Sequence, residues 1–365
     1  MRVTLVHNQY LCAPAKGDWR IRSNGQGSAE TTDLGDITEL QMLSEIELIR
    51  KSLAALGHES SKFMARDAAG LCAFLTKRRP DLIFNCCEAL AGNAAQEMNV
   101  AALFELLELP YTGSSAFTLG LLLNKPMAKA VLAANGIRTP AYVVVETGQD
   151  VSASRGLTFP LIVKPVAEDA SVGIDDGSVV NDESALAERV RFVCREFGQP
   201  ALVEEFISGR EFNVSLLATS PCEFTPLAIC EIVFDMLPAG RPRILGYDAK
   251  WNPASAFNHA KATRCPAQID AEIADRIRQM SLDVARVVGL RDYGRVDLRL
   301  RESDQALFVL EVNPNPDLSR DCAFMRAARL TGRSYRRTIG EIVERAIERC
   351  GMQDEIRQPL KARTS

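Results

Sequence analysis

Residues 307–319 read LFVLEVNPNPDLS, an apolar run that ends on a carboxylate and an amide two positions apart. In an extended chain, side chains two apart share a face, so Glu311 and Asn313 point the same way. Oxygen groups at the end of a buried strand are costly unless a cation sits among them. Upstream, GRVDLRL puts Arg295 and Asp297 on one strand face and Val296 and Leu298 on the other; RESDQ turns the chain, and the return strand brings Glu311 and Asn313 back towards Asp297. Two carboxylates and an amide oxygen form a hard-oxygen set suited to Mg²⁺, which takes few protein ligands and fills its shell with water and phosphate. A pair of solvated strand ends is the plainer alternative.

A second group of residues suits a polyphosphate. FPLIVKP ends an apolar strand on Lys164, a strongly hydrated charge that apolar neighbours do not recruit without an anion to meet. The next stretch, EDASVG, offers Ser171 and Gly173, whose backbone N–H groups can approach phosphate oxygens. Lys125, Lys129 and Lys250 are further cations, although for Lys129 a place on an exposed helix face is the favoured reading. The pattern is neither a Walker A loop nor a Rossmann fingerprint. In LVEEFISGREFNV the acidic residues Glu204, Glu205 and Glu211 stand in apolar surroundings. A nucleotide would account for them, with adenine acceptors around residues 204–207 and a ribose-binding carboxylate at Glu211; for Glu205, a water-facing position is as good a reading.

These groups need a scaffold, and the pattern of the chain supplies one. A strand over 2–7 precedes a polar stretch and a helix in which Leu40, Leu43, Ile46, Ile49, Leu53 and Leu56 recur at three- or four-residue steps, with Gly57 placed to end it. Strand 80–87 and helix 94–109 continue an α/β alternation. A new unit starts near residue 116, with a helix at 124–136, strands at 142–145 and 160–164 and around 178, a helix at 183–196 and a strand at 201–207. From residue 209 the expectation is strands at 211–218 and 226–233, a loop carrying GYDAKWNP, a helix at 271–288, the hairpin at 294–313 and a closing helix. The fold class is therefore α/β with α+β character in the nucleotide-binding part. The expected divisions are 1–115, 116–208, 209–352 and a frayed tail at 353–365.

Composition narrows the function. With 365 residues, 47% hydrophobic and 25% charged, the chain is globular and long enough for two or three domains. A net charge of −4 gives no basic footprint for nucleic acid. No apolar run reaches the roughly 20 residues that span a bilayer, and the opening lacks a secretory signal, which places the protein in the cytoplasm. The 10 cysteines form no C-x-x-C pair, and the 3 histidines, His7, His58 and His259, are widely separated, so neither a zinc site nor a disulfide framework is indicated.

The ordered set NKPMAKAVLAANGIRTP, FPLIVKPVAEDASVGI, ALVEEFISGREFNV, GYDAKW and GRVDLRL…VLEVNPNPDLS resembles the ATP-grasp superfamily, in its D-alanine–D-alanine ligase-like branch, from about residue 81 to 350. The resemblance implies a three-domain homodimeric enzyme with ATP held between the central and C-terminal domains. It implies that Lys125 and Lys164 hold phosphates, Lys164 also lying near adenine. Glu204 and the backbone of Phe206 and Ile207 would meet adenine, and Glu211 the ribose. Ser171 and Gly173 would belong to the phosphate loop and Lys250 would reach the γ-phosphate. Asp297, Glu311 and Asn313 would ligate Mg²⁺, in two sites, or Mn²⁺ in its place, and Arg295 would bind the substrate carboxylate or its phosphorylated form.

The chain departs from that branch at the substrate end. The dipeptide ligases open with a Gly-rich turn followed by Ser, Glu and His, whose glutamate binds the first substrate's amine; here the chain reads HNQYLCAPAKGDW. Ala170 and Trp251 replace a serine and a tyrosine that complete a network with that glutamate, Asp317 replaces a glycine, and Cys322 aligns with a carboxylate-binding serine. Glu39, Glu45, Glu88, Trp251, Asp317 and Cys322 are the candidate substrate contacts. The expected function is ATP-dependent ligation of a small carboxylic acid or amino acid to an amine through an acyl phosphate. The alternatives are an intramolecular cyclase using the same intermediate, a D-alanine–D-alanine ligase, a phosphotransferase and a non-catalytic ATP-binding module.

Overall fold

The computed structural model describes residues 1–8, 34–168, 171–221, 223–238, 240–251 and 262–352, with the side chains of residues 34–41, 153, 155 and 251 excepted. Its first part comprises β1 (Arg2–Asn8), α1 (Leu34–Ala55), β2 (Glu59–Ala65), α2 (Ala68–Arg78), β3 (Leu82–Cys86) and α3 (Glu97–Leu106). The three strands are parallel in the order β2-β1-β3. Parallel neighbours need crossover connections, which α1 and α2 supply. Alternation along β1 sends Val3 and Leu5 to one face, against Ile46, Ile49 and Leu53 of α1, and Val6 to the other, against Leu71, Leu75 and Phe104. Leu43 of α1 and Leu56 just beyond it, both expected on the inner stripe of this helix, are 36% and 40% exposed.

The middle part runs through α4 (Ala116–Leu123), α5 (Lys125–Ala134), β4 (Tyr142–Val145), β5 (Leu161–Pro165), β6 (Val179–Val180), α6 (Glu183–Phe197) and β7 (Ala201–Glu205). Its strands form an antiparallel sheet, β4-β7-β5-β6, backed by Leu186, Val190 and Val193 of α6. The last part holds β8 (Gly209–Ser220), β9 (Glu223–Pro226), β10 (Cys230–Ile232), α7 (Tyr247–Trp251), β11 (Thr263–Arg264), α8 (Ala271–Val288), β12 (Tyr293–Arg301), β13 (Leu307–Asn313), α9 (Ala323–Leu330) and α10 (Tyr335–Arg349). Here the sheet order is β11-β10-β8-β12-β13, with β9 also on β8. In place of the single strand expected over 226–233, β9 ends at Pro226 and β10 begins at Cys230.

Two packing features hold the parts in register. Phe324, Ile339, Ile342 and Val343 of the last two helices share one core with Val3, Leu5 and Phe84 of the first sheet, so the chain's ends close on each other. Arg349 bonds both carboxylate oxygens of buried Asp292 at 3.1 and 2.9 Å, and Asp292 accepts the Gly113 N–H at 2.8 Å. No helix among the described residues is long and apolar enough to cross a membrane.

Gly209 opens β8 at a φ of +151°, and a Cβ there would lie 2.0 Å from the Leu300 carbonyl oxygen. Backbone cannot yield as a side chain can. Gly209→Ala is expected to lower unfolding free energy by about 3 kcal/mol or more, measured by urea denaturation; a loss below about 1 kcal/mol would contradict this account of the junction.

Candidate active site

Strand β12 lies between β8 and β13, and its register builds a row of polar groups. Asp297 stands opposite Asn213 on one side and Glu311 on the other, while Arg295 stands opposite Asn313. Directly opposed residues share a sheet face, so the expected convergence occurs. Val296 and Leu298 turn into the core on the other face. Arg295 Nε and Nη2 donate to Asp297 Oδ1 and Oδ2, both at 2.8 Å, and Asn213 Nδ2 donates to Oδ1 at 2.8 Å. Burial alone would lower the Arg295 pKa, but the Asp297 charge and hydrogen bonds, with Glu311 beyond, raise it instead. The charge of Glu311 also acts on Lys250 and Lys129.

Among the described residues no three His, Cys, Asp or Glu gather closely enough to hold a metal on their own. The set here is two carboxylates and the Asn313 amide. That composition fits a hard divalent ion that keeps waters or phosphate oxygens in its shell, and fits a thiophilic ion poorly.

On the middle sheet, Glu204 of β7 accepts a cation at each oxygen: Lys129 Nζ at 2.9 Å from Oε1 and Lys164 Nζ at 2.9 Å from Oε2. Lys129, read above as a lysine on an exposed helix face, is 3% exposed. The correction has a simple cause: α5 turns its buried face, with Lys125, Ala128, Lys129 and Leu132, towards the sheets. Burial pushes the Lys129 ammonium down to about 8 against the pull of Glu204. Burial would raise Glu204, but the two lysines hold it below the usual carboxylate range. Lys125 Nζ donates to the Glu168 carbonyl beside the candidate phosphate loop.

Ser171 and Gly173 have φ values of +62° and +76°. A Cβ at residue 173 would lie 2.8 Å from Pro165 Cγ and 2.9 Å from Phe197 Cζ, which explains the glycine. Arg189 of α6 supports this turn by donating to the Gly173 carbonyl at 2.8 Å and to Ser178 Oγ at 2.7 Å. The Tyr247 N–H donates to the Ile174 carbonyl at 2.9 Å, joining the loop to α7 and hence to Lys250. Burial and then the charge of Arg295 lower the Lys250 pKa.

Glu211 is engaged by a residue that the sequence reading missed. Arg299 Nε and Nη2 donate to Glu211 Oε2 at 3.0 and 2.7 Å, and Nη1 donates to the Ile207 carbonyl at 2.7 Å. Its guanidinium lies 4.7 Å from the centre of the Phe206 ring. The Phe206 N–H donates to the Pro160 carbonyl at 2.9 Å. Arg299 thus fixes the segment expected to meet adenine and ribose. The signal was present in GRVDLRL, where residues 295, 297 and 299 alternate on one face.

At the substrate end Glu45 accepts the Leu318 N–H at 3.0 Å. Burial, then the charges of Asp317 and Glu88, push its carboxyl well above the usual range. A cavity of about 30 Å³ opens beside Glu45, Glu88 and Asn315. Asp317 accepts the Ser319 N–H at 2.7 Å and the Ser319 hydroxyl at 3.0 Å. Cys322 caps α9, its Sγ lying 3.4 Å from the Met325 nitrogen and donating to the Asp317 carbonyl at 3.0 Å. Burial and Asp317 push its thiol up, which suits a cap and not a nucleophile. Glu39 falls in α1 and Trp251 ends α7, with side chains outside the described residues; Ala170 is outside them entirely.

The chain is similar to known proteins in sequence and in fold. The family described as D-ala D-ala ligase C-terminus matches residues 131–344. The protein y4sG of Sinorhizobium fredii is 35% identical over 272 residues, 74% of this chain and 76% of that one. A D-alanine–D-alanine ligase of Nitrosomonas europaea is 30% identical over 263 residues, 71% of this chain and 79% of that one. The crystal structure of a D-alanine–D-alanine ligase from Bacillus anthracis complexed with ATP superposes with a TM-score of 0.68 at 18% identity, covering 96% of this chain and 99% of that one, which establishes the shared three-domain fold. By sequence and by fold, the chain belongs to the D-alanine–D-alanine ligase family of ATP-grasp ligases.

Proposed function

We propose that the protein uses ATP and Mg²⁺ to activate a small carboxylic acid or amino acid as its acyl phosphate and couples it to an amine. One observation carries the reading: Lys129, Lys164, Lys250 and Arg295 are enclosed in one charged cluster with Glu204, Asp297 and Glu311, beside buried Lys125. Several enclosed cations side by side suit an anionic ligand of several charges, and a triphosphate facing a substrate carboxylate is such a ligand. The division of the chain near residues 115 and 208 belongs to the same reading and is supported by separate sheets on either side.

Roles follow from chemistry. Lys129 and Lys164, held by Glu204, orient nucleotide; Lys125, Ser171 and Gly173 meet phosphate oxygens; Glu211, steadied by Arg299, meets ribose. Asp297, Glu311 and Asn313 would hold Mg²⁺, which supplies neutralisation of phosphate charge when bound. Lys250 and Arg295 bring the γ-phosphoryl group and the carboxylate together despite their like charge. The phosphorus–oxygen bond to ADP breaks as one to the carboxylate oxygen forms. The amine nitrogen then attacks the acyl carbon, phosphate leaves with that oxygen, and the nitrogen sheds a proton.

D-Alanine–D-alanine ligation is a second reading, favoured by the activity for which several relatives are named. The substrate end argues for a different pair: Glu88 and Asp317, whose charges bear on Glu45, would repel a substrate carboxylate and welcome an ammonium.

Incubation with ATP, Mg²⁺, hydroxylamine and pooled acids, analysed by mass spectrometry, is expected to yield a hydroxamate with ADP. ATP binding without ADP release in any pool would overturn the ligase reading. Glu311→Gln and Lys250→Ala are each expected to lower turnover about a hundredfold or more; near-normal rates in both would remove those residues from the chemistry.

The Lys129 pKa of about 8 has a consequence for binding. Below that pH its ammonium attracts the triphosphate; above it the charge must be restored by proton uptake when nucleotide binds. Affinity for ATP is therefore expected to fall as pH rises from 7 to 9, and Lys129→Met should flatten the dependence. A slope unchanged in that variant would place the titrating group elsewhere.

A further inference from the structure

Asn315 follows Asn313 by two residues, and its backbone N–H and both ends of its amide are all engaged. Its N–H donates to Asn313 Oδ1 at 3.0 Å. Its own Oδ1 accepts from the Tyr293 hydroxyl at 2.9 Å. Its Nδ2 donates to the Cys87 carbonyl at 3.1 Å and to Glu97 Oε1 at 3.3 Å. The bonds join the end of β13 to the start of β12, to the residue after β3 and to the first residue of α3. With a donor at one end of the amide and two acceptors at the other, its orientation is decided.

The flanking sequence sharpens the point. Pro314 and Pro316 have no N–H, so within residues 314–316 only Asn315 can donate a backbone hydrogen bond, and it donates to the Asn313 side chain. Accepting that bond fixes which way the Asn313 oxygen faces and leaves its second lone pair for another partner.

We propose that Asn315 is a positioning residue: held by Tyr293, Cys87 and Glu97, it sets the Asn313 oxygen for metal binding and ties the metal set to the first sheet. This rests on the reading of Asn313 as a metal ligand. Partners that orient a ligand typically change metal affinity ten- to a hundredfold when removed.

The test titrates Mn²⁺ into full-length protein carrying a non-hydrolysable ATP analogue, with free ion read by electron paramagnetic resonance. Asn315→Ala is expected to weaken Mn²⁺ by about tenfold or more, and Asn313→Ala by at least as much. The double variant should be no weaker than Asn313→Ala alone, since Asn315 acts through that oxygen. Tyr293→Phe, which removes only the hydroxyl, should weaken Mn²⁺ by a smaller factor. Affinity for the analogue in metal-free buffer should stay within about twofold throughout.

Unchanged Mn²⁺ affinity in Asn315→Ala beside a weakened Asn313→Ala overturns the positioning role and leaves the metal reading standing. No change in either overturns both. Additive losses in the double variant, or lost metal-free analogue binding in Asn315→Ala, also overturn it, by assigning Asn315 an independent or merely structural part.

Discussion

The site depends on the register of one strand. β12 is bound on both sides, to β8 and to β13, and that double pairing sets Asn213, Asp297 and Glu311 in a row with Arg295 and Asn313 beside it. A slip of one residue on either side would exchange Asp297 for Val296 or Leu298, burying charge in an apolar core and exposing the core to the cleft. The cost of that exchange protects the register, so the apolar half of the strand holds the polar half in place.

Buried charge is the second constraint, and the structure meets it by pairing. Glu204 would be expensive alone at 2% exposure, but it sits between two ammonium groups, as Glu211 sits against Arg299 and Asp292 against Arg349. Each pair also joins elements distant in sequence. Lys129–Glu204–Lys164 connects α5 to two strands of the middle sheet, and Arg299 connects β12 to β8 and to the segment at Phe206 and Ile207. In the proposed reaction a ligand anion entering the cleft would meet cations already oriented, which would lower the reorganisation needed.

Legibility in the sequence followed local periodicity. The hairpin and its convergence were readable because Arg295, Asp297, Glu311 and Asn313 alternate with strongly apolar residues, and helices 183–197 and 271–288 because each has an apolar stripe and ends on a glycine, Gly198 or Gly289. β2 was missed because ESSKFMA is largely polar, as an edge strand of its sheet allows. The burial of Lys129 was illegible because a lysine on an amphipathic helix is usually exposed, and only the position of Glu204, 75 residues later, reverses that. Arg299 and Asn315 act through partners distant in sequence, Glu211 and Glu97 among them, which no local pattern reports.

In the proposed mechanism a substrate carboxylate oxygen receives the γ-phosphoryl group before the amine attacks. The most direct measurement supplies the acid labelled with oxygen-18 in its carboxylate and reads the released inorganic phosphate by the isotope shift in its phosphorus NMR signal. Transfer through an acyl phosphate predicts phosphate carrying one labelled oxygen for each ligation. Phosphate formed at the same rate but free of label would contradict the claim, since the carboxylate oxygen would then never have been bonded to phosphorus.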